Sequence, residues 1–162
     1  MRKLFLFLFG IVALAACQSP KEKAIKHIKE LEGNDSAFSN QLMTELKTAY
    51  LDFAKTYPDD EQAPEYLFKG AQRAIVLEQA NEAVELLAEL IQKYPKSKNV
   101  EDALFLEAYT YENNLQDLNK AQAIYQEFIK KYPKGELAED AKFALDNLGK
   151  SPEEIIGNDD AE

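Results

Sequence analysis

The sequence predicts an all-α fold, a solenoid of antiparallel helix pairs with about two and a half repeats. The dipeptide Tyr-Pro occurs three times, at residues 57–58, 94–95 and 132–133, so the intervals are 37 and 38 residues. Each Tyr-Pro ends a stretch in which apolar residues recur every three or four positions, the pattern of a helix packed on its neighbours. Since one such unit cannot bury its apolar face alone, a fixed period of this length indicates stacked helix pairs.

The helices that follow the Tyr-Pro pairs, here called A helices, are predicted at about residues 61–79, 98–117 and 136–148. The second residue after each proline is of a type favoured at a helix N-cap, because it satisfies or tolerates the unpaired N–H groups of the first turn. These residues are Asp60, Ser97 and Gly135. The tenth residue after each proline is phenylalanine, namely Phe68, Phe105 and Phe143.

The helices that end at the Tyr-Pro pairs, here called B helices, are predicted at about residues 37–57, 82–94 and 120–132. Each carries one apolar stripe at spacings of four and three residues, which places the side chains on one helix face. The stripes are Leu46, Tyr50 and Phe53, then Ala83, Leu87 and Leu90, then Ala121, Tyr125 and Phe128. Asn81 and Asn119 are predicted as N-caps of the second and third B helices.

The B helices resemble the second helix of a tetratricopeptide (TPR) repeat, in which a small residue, two large apolar residues and a terminal proline recur at these spacings. The residues that match are Ala83, Leu87, Leu90 and Pro95, and then Ala121, Tyr125, Phe128 and Pro133. The A helices match less closely, with Leu67 and Leu104 where the family has tryptophan. The resemblance covers roughly residues 37–149 and implies TPR-like helix pairs whose A helices line a concave groove.

The N-terminus predicts an exported protein. Residues 1–16 have the order of a signal peptide, with basic residues, an apolar run too short to span a membrane, and small residues at a cleavage site. The motif Leu14-Ala15-Ala16-Cys17 resembles the bacterial lipobox, which implies cleavage before Cys17 by signal peptidase II and acylation of its thiol. The alternative is an ordinary secretory signal, with Cys17 as a free thiol.

Two further resemblances indicate a location. The residue after the cysteine is Gln18 rather than aspartate. This resembles the sorting signal for the outer membrane in enteric bacteria. The repeat period exceeds the usual one by about one helical turn. Long-period TPRs of this kind resemble those of the lipoprotein subunit of the β-barrel assembly machine and of the Tol-Pal coordinator. We therefore expect a protein anchored to the bacterial outer membrane through the lipid on Cys17, at the periplasmic face rather than the cell surface.

The chain divides into four predicted parts. They are a signal peptide (1–16), a lipidated N-terminus with a short amphipathic helix (17–35), the TPR-like helical array (36–150), and a short capped turn with an acidic tail (151–162). The amphipathic helix, from Pro20 to Leu31, has lysines opposite its apolar face. It either lies along the membrane beside the lipid or caps the first repeat.

The composition argues against several classes of function. A formal net charge of −10 argues against nucleic acid as a partner and against direct binding of anionic lipid headgroups. The one histidine, His27, lies among lysines without a catalytic partner, and the one cysteine is in the lipobox. The acidic run at residues 59–61 lacks the spaced ligands and the glycine of a calcium loop. We expect no enzyme, no cofactor and no metal.

One pattern in the A helices could serve recognition. The seventh residue after each proline is acidic and lies three residues before the recurring phenylalanine, so both occupy one helix face. The predicted groove consists of Glu65, Phe68, Asp102, Phe105, Tyr109, Asp140 and Phe143. If exposed, this face would suit an extended basic or aromatic-containing segment. The alternative is that the phenylalanines are core and the acids only favour helix starts.

The sequence thus predicts a non-enzymatic TPR scaffold lipoprotein of the bacterial cell envelope. It would bind envelope proteins through the groove, in outer-membrane or envelope assembly or maintenance. The alternative is an accessory ligand-capture lipoprotein of a nutrient-uptake system, although proteins of that kind are longer and carry large insertions. The oligomeric state is not predicted by the sequence.

Overall fold

The computed structural model describes residues 18–34 and 39–156. Within these residues the chain forms eight α-helices and no β-strand. The helices are α1 (Pro20–Glu32), α2 (Asn40–Thr56), α3 (Ala63–Val76), α4 (Ala80–Lys93), α5 (Val100–Asn113), α6 (Leu118–Lys131), α7 (Ala138–Asp146) and α8 (Pro152–Ile156). The B helices are α2, α4 and α6, and the A helices are α3, α5 and α7.

Each helix from α1 to α6 packs on the next one along the chain. This order makes α3 with α4, and α5 with α6, two consecutive A–B pairs, with a B helix before them and an A helix after them. An array in which the largest contacts join consecutive helices is typical of a solenoid. The predicted all-α solenoid of TPR-like helix pairs is confirmed.

The core is a series of three clusters, each of which joins neighbouring helices. The first joins α1, α2 and α3 around Phe53, the second joins α2 to α5 around Leu87 and Leu90, and the third joins α5, α6 and α7. Tyr125 and Phe128 lie at the centre of the third cluster and are fully buried. Phe53, Leu87, Leu90, Tyr125 and Phe128 all belong to the predicted B-helix stripes. The stripes therefore form the central part of the core.

Each B helix ends at the tyrosine of a Tyr-Pro pair. Tyr57, Tyr94 and Tyr132 are C-caps, and the N–H group of each donates to the carbonyl oxygen four residues earlier. The proline that follows has no N–H group and cannot continue the helix. The Tyr94 hydroxyl also donates to the carbonyl oxygen of Pro58 at 2.9 Å, which ties one Tyr-Pro corner to the preceding one.

The predicted N-caps of the A helices are wrong. The helices α3, α5 and α7 begin three residues after Asp60, Ser97 and Gly135 respectively. Asp60 and Ser97 instead stabilise a turn before the helix, because their side-chain oxygens accept the N–H groups two residues later at 2.9 and 3.2 Å. This turn uses residues that the sequence pattern assigned to the first turn of the helix, so the observed helices start later.

The predicted N-caps of the second and third B helices are also wrong, because Asn81 and Asn119 lie inside α4 and α6. The A and B helices of each pair are joined through a residue in the left-handed region, Glu78 (φ 59°) or Gln116 (φ 53°). The B helix begins two residues later in both cases. Asp117 caps α6 by accepting the N–H group of the third residue after it at 3.2 Å. The tight turn, rather than the asparagine, therefore sets the helix start.

α1 is an integral part of the array. Ile28 is 1% exposed within the first core cluster. The Glu32 carboxylate accepts hydrogen bonds from the Tyr50 hydroxyl at 2.8 Å and from Lys69 Nζ at 2.9 Å. The apolar face of α1 is thus covered by α2. In this arrangement α1 caps the first repeat, and its apolar face is not free to lie on a membrane.

The predicted signal peptide, Cys17 and the acidic residues 157–162 lie outside the described residues. Of the helices in the described part, none combines the length and the apolar character needed to cross a membrane. At the other end of the described chain, α8 starts with a capping box in which Ser151 Oγ accepts the N–H group of Glu154 at 3.3 Å.

Candidate interaction surface on the A helices

On α3 the two predicted groove residues are both engaged within the molecule. The Glu65 carboxylate lies 3.3 Å from Lys69 Nζ and 3.8 Å from Lys98 Nζ. Phe68 is partly buried against the second core cluster. The first third of the predicted groove is therefore held by internal ion pairs and packing.

On α5 the predicted residues divide between surface and core. Asp102 is exposed, and Tyr109 is 46% exposed. The ring of Phe105 lies between them on the same helix face, but it turns towards α6 and makes edge-on contacts with Tyr125 and Phe128 at 5.8 Å each. The acid and the tyrosine are thus free at the surface, while the phenylalanine supports the A–B packing.

On α7 both predicted residues are exposed. Asp140 lies in the first turn, where an acid also favours the helix N-terminus. Phe143 is 60% exposed, more than any other large apolar side chain in the described part of the chain. For Phe68 and Phe105 the core alternative describes the structure, whereas Phe143 remains available for recognition.

Two tyrosines of the predicted B-helix stripes form hydrogen bonds that were not predicted from the sequence. Tyr125 donates its hydroxyl proton to Glu112 Oε2 of α5 at 2.9 Å, as Tyr50 does to Glu32 of α1. Burial and the adjacent carboxylate raise the pKa of Tyr50 to about 12 and raise that of Tyr125 as well. These hydrogen bonds could have been predicted from the tyrosines that lie eight residues before the prolines of the first and third Tyr-Pro pairs. A tyrosine on a buried stripe needs a hydrogen-bond partner for its hydroxyl group.

A carboxylate pair on the α5–α6 surface was also missed. Glu107 is half-buried, and burial, followed by repulsion from Glu127, raises its pKa from 4.5 to about 7. Its position in the repeat is occupied by Gly70 in α3 and Leu145 in α7. The acid could have been noticed in the sequence, because the other two repeats have a small or an apolar residue at this position.

Within the residues that the structure describes, no three or more His, Cys, Asp or Glu side chains are grouped so that they could hold a metal ion. Asp60, in the acidic run at residues 59–61, instead forms an ion pair with Lys21 of α1 at 2.9 Å. The hydrogen bonds from Lys21 and from the Gln62 N–H group hold the pKa of Asp60 below its usual value. This carboxylate fastens α1 to the first A helix.

Comparison with known proteins identifies the repeat. The model of the tetratricopeptide repeat family matches residues 68–97 and 102–135. These two stretches cover most of the α3–α4 pair and of the α5–α6 pair. No curated protein matches the chain.

Proposed function

We propose that this chain, which contains tetratricopeptide repeats and so is a protein–protein interaction scaffold, acts in the bacterial cell envelope. Repeats of this family are typically non-enzymatic scaffolds. The proposed partners are envelope proteins, and the proposed role lies in outer-membrane or envelope assembly or maintenance. The lipid on Cys17 would hold the array at the periplasmic face of the outer membrane.

The observation that carries the proposed binding role is the free surface of α5 and α7. Asp102, Tyr109, Asp140 and Phe143 are exposed on consecutive A helices that share one core cluster. Carboxylates beside exposed rings suit lysine or arginine side chains, which can pair with the acid and stack on the ring. The net charge of −10 favours a basic segment over an acidic one.

The envelope location is supported by the N-terminal sequence. The motif Leu14-Ala15-Ala16-Cys17 follows a basic start and an apolar run, and Gln18 follows the cysteine. A single acyl chain binds a membrane only weakly and reversibly, whereas several chains on one residue anchor it stably. Lipid on Cys17 would also leave the acidic array in the aqueous phase next to the membrane.

The surface is tested by the double variant Asp102→Lys with Tyr109→Ala. Cross-linking of the lipidated chain in intact envelopes, followed by mass spectrometry, should identify partner proteins for the wild type. We expect the double variant to lose at least about nine-tenths of this cross-linking, because the charge is reversed and the ring removed. Helicity and melting temperature should not change, since both side chains are at the surface.

A matched control carries Glu85→Lys with Val76→Ala, which makes the same charge change and also removes an exposed apolar side chain. It should cross-link like the wild type. Equal cross-linking by the control and the Asp102–Tyr109 variant would contradict the proposed surface. A wild type without any protein neighbour above background would contradict the scaffold role in the envelope.

The anchor is tested by Cys17→Ser. Without an acylated thiol the chain should move from the membrane fraction to the soluble fraction, because the acidic array has no affinity of its own for anionic lipid. Metabolic labelling with a fatty acid should mark the wild type and not the variant. A Cys17→Ser chain that still fractionates with membranes would show that lipid is not the main anchor.

A further inference from the structure

The outer face of α7 has the pattern of a helix that lacks its partner. In the first two A–B pairs the phenylalanine at the tenth position after proline packs against a core cluster that includes residues of the B helix that follows. Phe68 packs on the cluster containing Leu87 and Leu90 of α4, and Phe105 contacts two aromatic rings of α6. The equivalent Phe143 is 60% exposed, because the described residues place no B helix after α7.

A neighbouring position indicates that only one helix is missing. Leu67 and Leu104 share core clusters with residues of the next A helix, and both are 3% exposed. The equivalent residue of α7 is Lys142, which forms an ion pair with Glu139 at 2.6 Å. The face that would meet a further A helix is therefore polar, while the position that meets a B helix keeps its aromatic ring. Further repeats are disfavoured, but a single covering helix is not.

Charge defines the chemistry of that helix. Asp140 and Asp146 lie three residues before and after Phe143, on the same face of α7, and neither has an ion-pair partner within the described residues. Asp146 occupies the position of Ala108, which is fully buried in one cluster with Ala121 of α6. A helix covering α7 would thus meet a carboxylate at the point where α6 has a small residue.

We propose that α7 binds a basic amphipathic helix of a partner protein, which docks in the place of a B helix. Its apolar stripe would have the B-helix spacing, with two large side chains, three residues apart, on Phe143. A lysine or arginine four residues before the first of them would pair with Asp146. This docking site lies on the end of the array and rests on the α7 part of the surface proposed above, whereas the Asp102–Tyr109 variant tests the α5 part.

Two other occupants fit less well. A second copy of the chain would bring Asp140 and Asp146 against identical carboxylates if the two α7 faces met, and like charges at close range are repelled. Residues 157–162 of the same chain include three acids and no large apolar side chain, so they cannot supply the stripe. The start of α8, with Ser151 before it and Glu154 in its first turn, lies beside the α5–α6 turn. Since Phe143 is exposed when α8 is in this position, α8 does not cover it.

The test uses a model B helix as the probe. A peptide of residues 118–132, the sequence of α6, is synthesised with Ala121→Lys, and a second peptide carries Ala121→Glu. Calorimetric titration into the full chain should show micromolar binding of the first peptide and at least about tenfold weaker binding of the second. Phe143→Ala should weaken binding of the first peptide by at least about tenfold, while Val76→Ala, a control on an exposed apolar residue of α3, should leave that binding unchanged.

A charge reversal on α7 distinguishes specific docking from nonspecific apolar binding. Asp146→Lys should weaken binding of the first peptide and restore binding of the second. A purely apolar contact would not produce this exchange. Circular dichroism should show unchanged helicity, since both positions are at the surface of α7. Restoration of this kind would stand even if the Asp102–Tyr109 surface failed its own test.

Three results would overturn the inference. They are absence of Phe143-dependent peptide binding, a dimer of the free chain that Phe143→Ala dissociates, and binding that occurs only after residues 157–162 are removed. The second result would assign the face to another copy of the chain. The third would assign it to the chain's own C-terminal segment. Sedimentation of the free chain, with and without Phe143→Ala, distinguishes the second result from the others.

Discussion

Glu107 carries a proton at a pH where most carboxyl groups have lost theirs. Burial between α5 and its neighbours is the larger cause of its raised pKa, and repulsion from Glu127 adds to it. The folded chain thus retains this proton up to about pH 7, whereas the unfolded chain releases it near the ordinary value of 4.5. A single side chain therefore makes the stability of the array depend on pH.

The sign of this dependence follows from linkage. Between about pH 4.5 and 7 the folded state binds more protons than the unfolded state, so the unfolding free energy falls as pH rises and then levels off. Glu107→Gln should remove this fall and raise the unfolding free energy at pH 8 by about 1–2 kcal/mol, allowing for solvent screening. Urea unfolding at pH 4.5 and 8 measures it. The exposed Glu85→Gln is the control, and an equal gain there would contradict the assignment.

At the scale of the element, the start of each A helix shows how the repeats differ. Pro64 occupies the second position of α3, a place where a helix needs no N–H donor. The equivalent residue of α5 is Glu101, whose Oε1 is buried without a hydrogen-bond partner. Its carboxylate lies against Gly135, where an added Cβ would clash with it. The glycine at that corner therefore makes room for the acid and is not a helix cap.

Glu101→Pro should stabilise the chain. The substitution removes a buried oxygen that lacks a partner and restricts the unfolded chain at a position that accepts proline in α3. We expect a gain of about 1 kcal/mol in unfolding free energy from urea titration. Glu139→Pro, at the equivalent exposed position of α7, is the control and should gain less. A loss of stability in Glu101→Pro alone would mean that its carboxylate has a supporting role.

At the scale of the whole molecule, the array is a line of neighbours joined by three clusters. α1 extends this line by one helix beyond the predicted repeats, since it packs on α2 and contributes Ile28 to the first cluster. The chain has 29 acidic and 19 basic residues and a single cysteine, Cys17, so helix packing has to overcome the net repulsion without a disulfide between cysteines of the chain. Local ion pairs such as Lys47–Glu82 at 2.5 Å offset part of that repulsion.

Salt should therefore stabilise the array. Raising NaCl from about 20 mM to about 300 mM screens the long-range repulsion more than the close pairs and should raise the melting temperature by about 3 °C. Differential scanning calorimetry measures the shift. A variant with Glu85→Gln, Asp102→Asn and Asp140→Asn should show a smaller rise. A fall in melting temperature with salt would mean that the close ion pairs outweigh the net charge.

The repeat could be predicted from the sequence alone. The period, the three helix ends at Tyr-Pro and the B-helix stripes were all predicted, because proline chemistry and apolar spacing act within a few residues of the chain. The fold class follows from them, and it is confirmed. The helix starts were predicted less well, since left-handed residues such as Gln116 decide where a B helix begins.

Which residues of the candidate surface are free could not be predicted before the packing of the helices was known. Phe68, Phe105 and Phe143 occupy the same position of the repeat, yet two pack on core clusters and one is exposed. The same holds for Glu65, which is held by ion pairs, and Asp102, which is exposed. The physical reason is that burial and pairing depend on the helix that lies opposite, which is a neighbour in space and not a property of the segment itself.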